Sequence, residues 1–206
     1  KLYKREIKIA ASIPPVLGSY KPDVFNSEKA IPILEIFKNN LIQFCDLILA
    51  ETLSSIDEIK TIQRVFGDCK IPFWISLTIE DEYYNIPKLR SGEEIITALR
   101  KIDFNKISSV LFNCSQPEVM AKAIKVAKNL VPENTSLGVY ANAFQPIKIG
   151  QRDANSQIRN TRQELTPEKY FDFVKEWNEL EVDIIGGCCG IGPEHIKKIC
   201  ELKKNR

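Results

Sequence analysis

Short runs of apolar and β-branched residues alternate along this chain with longer stretches whose apolar positions recur at helical spacing. The runs are EIKIAAS (6–12), DLILAE (46–51), IPFWISLTI (71–79), ISSVLFNC (107–114), TSLGVYAN (135–142) and VDIIGGCC (182–189). Helix-like segments follow at 27–44, 55–66, 92–102, 116–130, 167–180 and 193–202. Their starts carry signals. Ser55/Glu58, Ser91/Glu94 and Ser115/Glu118 have the spacing of a capping box, in which side chains satisfy the free N–H groups of the first turn. Pro167 after Thr166 and Pro193 after Gly192 suit proline at the first helical position. Ser27 is a weaker start, because Pro32 falls late for a first turn.

The pattern is βα repeated six times. Strands apolar on both faces and separated by helices predict a parallel sheet covered by helices. A doubly wound open sheet and a (β/α)8 barrel both satisfy it. A nucleotide-binding open sheet often has a glycine-rich turn after its first strand; here Ile13-Pro14-Pro15 follows Ser12. The chemically interesting residues, Ser12, Glu51, Cys114, Asn142, Cys188 and Cys189, all fall at C-terminal strand ends. A barrel builds its active site from that rim. The expected fold is therefore a single α/β domain over 1–206, a (β/α)8 barrel of the TIM type. Six units are two short of closure, so either the chain is a fragment, or the sheet stays open, or another chain supplies the rest. Residues 143–165 form a long polar connection on the same rim, and loops of this length are usually functional or disordered.

Composition narrows the function. Hydrophobic residues at 44% and charged residues at 27% are ordinary for a soluble protein. A net charge of +2 with mixed signs gives no reason to expect nucleic acid or an anionic membrane as partner. No apolar run approaches the roughly 18 residues that span a bilayer. The basic start KLYKREIKIAASIPP has too short an apolar run for a signal peptide. The expectation is a soluble, cytoplasmic protein.

In a reducing compartment cysteines are more often buried, catalytic or metal-bound than paired. Cys45, Cys69 and Cys200 fall in helical or turn segments and read as structural. Cys114 ends one strand run, and Cys188 and Cys189 end the last, so three thiols can converge on one rim. Three thiolates with an open fourth position suit zinc. Neighbouring side chains in a regular strand point to opposite faces. Gly186, Gly187 and Gly190 are expected to let the chain bend so that both sulfurs face inward. Two other readings remain at this stage: three buried small side chains, or a redox-active vicinal pair. The lone histidine, His195, sits in the first turn of the last helix and reads as a surface or supporting residue. Glu51 closes an apolar strand where a carboxylate can bind an ammonium group, while Asp46 at the other end of that strand reads as structural.

GGCCGIGPEHI resembles the zinc motif of the homocysteine S-methyltransferases, Gly-Gly-Cys-Cys followed by Pro-x-His-Ile. FNCSQPEVM is similar to that family's Asn-Cys segment, DLILAETLSSIDEIK to its Asp-x-x-x-x-Glu-Thr strand and helix, FWISLTIED and RSGEEI to the next strand and loop, and IAASIPPVLGSY to its Ala-Gly-Ser-Ile-Gly-Pro segment. The resemblance implies a (β/α)8 barrel that moves a methyl group from a sulfonium or ammonium donor to homocysteine, giving methionine. It implies zinc held by Cys114, Cys188 and Cys189. Glu51 then takes the homocysteine amino group, Asn113 orients the site, and Ser12 and Asn142 complete the substrate pocket. The family's Asp-Gly-Gly and Asn-Thr segments are absent, so the chain is expected to begin at the third strand. YANAFQPI also lacks the glycine expected after Asn142. The methyl donor is not legible. A non-catalytic zinc-binding fragment and a thiol–disulfide enzyme are the alternatives.

Overall fold

The computed structural model describes residues 7–147 and 160–204. Six strands alternate with six helices. The strands are β1 (Ala10–Ile13), β2 (Leu47–Leu53), β3 (Phe73–Leu77), β4 (Ser109–Asn113), β5 (Ser136–Tyr140) and β6 (Ile184–Ile185). The helices are α1 (Ser27–Leu41), α2 (Ile56–Phe66), α3 (Ile95–Leu99), α4 (Pro117–Lys128), α5 (Pro167–Glu179) and α6 (Pro193–Ile199). The strands lie side by side in chain order, and every pairing is parallel. That unbroken order marks an arc of a (β/α) barrel; a doubly wound sheet reverses its order midway.

Alternation along the strands makes two faces. Ala11, Ile13, Ile48, Ala50, Phe73, Ile75, Val110, Phe112, Leu137 and Val139 share one face and are all buried, in one continuous core with the helices. The other face is mixed. It carries Ser12, Leu49, Glu51, Trp74, Ser76, Asn113 and Tyr140, of which Ser76 and Asn113 are wholly buried and the rest half-buried or exposed. A face of that kind lines the inside of a barrel and leads up to its rim.

Some helix starts follow the sequence signals. Ser55 and Glu58 form the expected capping box, and Thr166 caps α5. Two do not. α3 begins only after Glu94, and Ser91 bonds Glu93 instead. α4 is capped at Gln116, because the Ser115 hydroxyl is engaged by the Ile79 backbone on the neighbouring loop. At Ser115 a tertiary hydrogen bond takes the side chain that local spacing assigns to the helix; at Ser91 the carboxylate two residues on takes it. α1 starts at Ser27 and is capped by Asn26, whose side chain accepts from Lys29 N–H, and Pro32 lies within the helix.

Of the long connection 143–165, residues 148–159 lie outside the described residues. Its two ends pair with each other in an antiparallel bridge between Phe144 and Thr161, supported by Arg162 N–H donating to Ala143 O at 2.7 Å.

Candidate active site

β4 and β6 flank β5, so the rim ends of the two cysteine-bearing runs are separated by one strand. If β4 continued regularly, Cys114 would share the face of Phe112 and point towards the helices. It does not, because its backbone is left-handed (φ 50°). This conformation is unusual for a residue with a Cβ, and it turns the side chain along the rim. β6 is shorter than its apolar run. After Ile185 the chain keeps contact with β5 through isolated bonds only: Gly186 N–H to Val139 O, Cys188 N–H to Ala141 O, and Ala143 N–H to Cys189 O.

The glycines differ in what they do. Gly190 is left-handed (φ 79°), as expected of a residue that bends the chain after the pair. Gly187 has no positive φ; its missing side chain makes room, since a Cβ there would lie 2.1 Å from Ile191 Cγ2. Gly186 needs neither, a Cβ meeting only Tyr140 at an ordinary 3.4 Å. The expectation that all three supply special backbone angles is thus corrected: one does, one supplies space.

These features bring the sulfurs of Cys114, Cys188 and Cys189 within 4.8 Å of one another, the last two 3.9 Å apart. Cys114 is buried, Cys188 half-buried and Cys189 exposed, so the cluster opens to one side. Two thiols hydrogen-bond to the third sulfur. The Cys189 thiol is thereby pulled down to about 3, by Cys114 first and Cys188 second. Cys188 is pushed well above the thiol range by its bonds to Cys114 and Cys189 and by burial. For Cys114 the contact with Cys188 lowers the value, but the bond to Cys189 and burial outweigh it and raise the thiol to about 11. The cluster thus favours a thiolate at Cys189 and disfavours further negative charge on Cys114 and Cys188, a balance that a bound cation would offset. Zinc–sulfur bonds of about 2.3 Å in a tetrahedron place sulfurs ~3.8 Å apart. The cluster meets that spacing with small side-chain adjustments, so the residues fit zinc.

Glu51 lies two strands from β4 on the inner face. Its carboxylate accepts a hydrogen bond from Ser12, while burial and the nearby Cys189 raise its pKa. It sits in a β-bulge: the β2–β3 register slips between Ala50 and Leu53, and Thr52 is left-handed (φ 61°). Bulges re-aim side chains next to active sites. Asn113 fastens this one. Its Oδ1 accepts from Thr52 N–H (3.1 Å) and from the Ser76 hydroxyl (2.8 Å), and its Nδ2 donates to Thr52 Oγ1 (2.9 Å). Asn142 is also wholly buried; its Oδ1 accepts from Gln116 Nε2 (3.2 Å) and Phe144 N–H (3.3 Å). The structure therefore brings Ser12 and Glu51 together on the open face; Asn113 is wholly buried on that same face beside the bulge, and Asn142 is buried at the start of the loop after β5.

His195 supports the cysteine loop from α6. Its Nδ1 accepts from Gly192 N–H (3.2 Å), which leaves Nε2 to donate to Leu165 O (3.0 Å). Asp46 accepts from Ile9 N–H (2.7 Å), a structural bond at the far end of β2. Sequence reasoning missed Tyr20, Asp81 and Arg90. Arg90 is wholly buried behind Cys114, and a charged residue after the polar segment 80–86 gave no signal of that burial.

A parallel βα arc with three converging sulfurs at its C-terminal rim defines a barrel protein with a thiol-lined metal-type centre. The family model described as homocysteine S-methyltransferase matches residues 1–202, and the chain belongs to that family. It is 25% identical over 218 residues to homocysteine S-methyltransferase 2 of Arabidopsis thaliana, covering 100% of this chain and 62% of that protein. It is 28% identical over 171 residues to betaine-homocysteine S-methyltransferase of Drosophila melanogaster, covering 75% and 46%. The fold matches the homocysteine methyltransferase MmuM of Escherichia coli in its oxidized form, with a TM-score of 0.67 at 19% identity, covering 97% of this chain and 62% of that one. The metallated form of MmuM matches with a TM-score of 0.64 at 20% identity, covering 91% and 55%. The chain thus spans about three fifths of the length of the relatives it matches most extensively. No helix among the described residues is long and apolar enough to cross a membrane.

Proposed function

We propose that the chain is the zinc-binding and homocysteine-binding part of a methyltransferase, a single domain over 1–206 working in the reducing cytoplasm. Cys114, Cys188 and Cys189 hold the metal, and the reaction moves a methyl group from a sulfonium or ammonium donor to homocysteine, giving methionine. The observation that carries this reading is the three-sulfur cluster with one open side, reached from a carboxylate on the inner barrel face. Family membership supports it.

Bound zinc supplies Lewis acidity that keeps a coordinated thiol deprotonated at neutral pH. The protein's residues do the rest. Glu51, steadied by Ser12, accepts hydrogen bonds from the substrate ammonium group and sets the direction of its sulfur. Asn113 keeps the bulge that aims Glu51, and Asn142 with Gln116 holds the loop after β5 against the site. In the transfer, the homocysteine sulfur forms a bond to the methyl carbon as the donor's sulfur or nitrogen leaves with its bonding pair. Alignment of that kind contributes several kcal/mol to lowering the barrier.

The test is Cys188→Ser, assayed for zinc content and for methyl transfer with a donor panel. Both are expected to be lost together. Full activity in a metal-depleted variant contradicts the proposal.

A further inference from the structure

Three residues outside the ligand set converge on Cys114. Tyr20, buried and left-handed (φ 63°), packs with Cys114, Ile147 and Cys188 in a small cluster separate from the main core. Its hydroxyl lies beside the Cys114 side chain. Arg90, with no exposed surface, lies over the Tyr20 ring at 5.3 Å and donates through Nη2 to the Cys114 carbonyl at 3.3 Å. Asp81 pairs with the guanidinium through both oxygens, at 3.0 and 3.2 Å. The same carboxylate accepts N–H bonds from Gln116 (2.9 Å) and Ile147 (2.8 Å), and Glu80 approaches Arg90 at 3.7 Å. Two left-handed residues with side chains, Tyr20 and Cys114, thus face each other across one buried arginine. Such conformations cost about 1–3 kcal/mol each and persist where surrounding contacts enforce them.

We infer that Tyr20, held by Arg90 and Asp81, is a positioning residue for the sulfur centre: its hydroxyl donates a hydrogen bond to the Cys114 sulfur and fixes that sulfur's orientation and donor strength towards the metal. The inference rests on the zinc reading above. Groups that hydrogen-bond metal ligands typically contribute 10–100-fold to metal affinity. The guanidinium acts through the Tyr20 ring and the Cys114 carbonyl; with Asp81 and Glu80 beside it, it brings little net charge to the site.

The experiment compares the full chain with Tyr20→Phe, which keeps the ring over Arg90 and removes only the hydroxyl. Both are loaded with cobalt(II). Losing a hydrogen bond to a thiolate raises the energy of its lone pair. The sulfur-to-cobalt charge-transfer band of the variant is therefore expected at longer wavelength, with binding weakened by about 10–100-fold. An unshifted band and unchanged affinity overturn the inference. If the variant does not fold, cadmium-113-loaded wild-type protein decides: a slowly exchanging Tyr20 hydroxyl proton coupled to the metal supports it, and the absence of that coupling overturns it. Failure of the wild-type chain to bind either metal would overturn the zinc reading and this inference together.

Discussion

At the residue scale, Glu51 and Glu58 show how environment decides what a carboxylate does. Both are on or after β2, and burial raises both. Glu51 faces the open inner surface with one hydroxyl partner, and a substrate ammonium group offers it more. Replacing it by glutamine removes a charged hydrogen bond worth about 1.5–3 kcal/mol, so homocysteine binding is expected to weaken roughly 10–100-fold. Zinc content should be unchanged; calorimetric titration with the variant checks both. Glu58 has a structural role. One oxygen accepts the N–H groups of Ser54 and Ser55, the other has no hydrogen-bond partner, and a small apolar pocket walled by Pro15, Phe25, Leu34, Leu53 and Ile62 lies against it. Burial raises it to about 7, against 4.5 ordinarily. The folded state therefore keeps a proton that the unfolded chain releases. This contribution to stability is full below about pH 4.5, falls as pH rises to about 7, and is then constant, a loss of about 3 kcal/mol. Urea unfolding across that window should show the slope in wild type, and Glu58→Gln should lose most of it.

The three cysteines, Glu51 and Ser12 were legible as rim residues because strand ends can be read from apolar runs. The left-handed turn at Cys114 was not, since no glycine marks it. Nor was the Tyr20–Arg90–Asp81 group, which depends on side chains meeting across 70 positions of sequence.

At the element scale, the alternation of strand and helix is plain in the sequence, but element lengths are not. The last apolar run reads as a strand to Cys189, yet β6 ends at Ile185. The cause is local: Gly187 packs its backbone against Ile191, and the chain turns there. Gly187→Ala would force Ile191 aside, and overpacking of this kind costs about 1–3 kcal/mol. Gly187→Ala is expected to lower both stability and metal affinity, and Gly186→Ala to leave both nearly unchanged. Thermal unfolding with and without zinc separates them; equal behaviour of the two variants would refute the distinction. The bulge in β2 makes a similar case. Asn113→Ala removes three buried hydrogen bonds and leaves Thr52 N–H unpaired, so a loss of about 2–4 kcal/mol is expected in denaturant unfolding. The missed caps at Ser91 and Ser115 show side chains of correct spacing taken by other partners: Ser91 by Glu93 two residues on, Ser115 by the Ile79 backbone on the neighbouring loop.

At the scale of the whole molecule, the barrel class was legible from three things together: six units, both-face apolar strands, and functional residues gathered at C-terminal strand ends. The strand order could not be read from periodicity; the sequential parallel pairing settles it. One apolar core runs from Ala11 on β1 to Val182 before β6, which argues for one cooperative unit. Far-ultraviolet dichroism and tryptophan fluorescence, reporting on Trp74 inside the arc and Trp177 in the core, should therefore give coincident unfolding curves. Two separated transitions would contradict a single domain.

The central claim is that Cys114, Cys188 and Cys189 form a three-sulfur zinc site whose fourth position receives the substrate thiol. X-ray absorption at the zinc edge, with and without homocysteine, addresses it directly. The account predicts three sulfur neighbours at about 2.3 Å in the free protein and four when homocysteine is bound. Zinc bound through fewer than three sulfurs, or a coordination shell that homocysteine leaves unchanged, would contradict it.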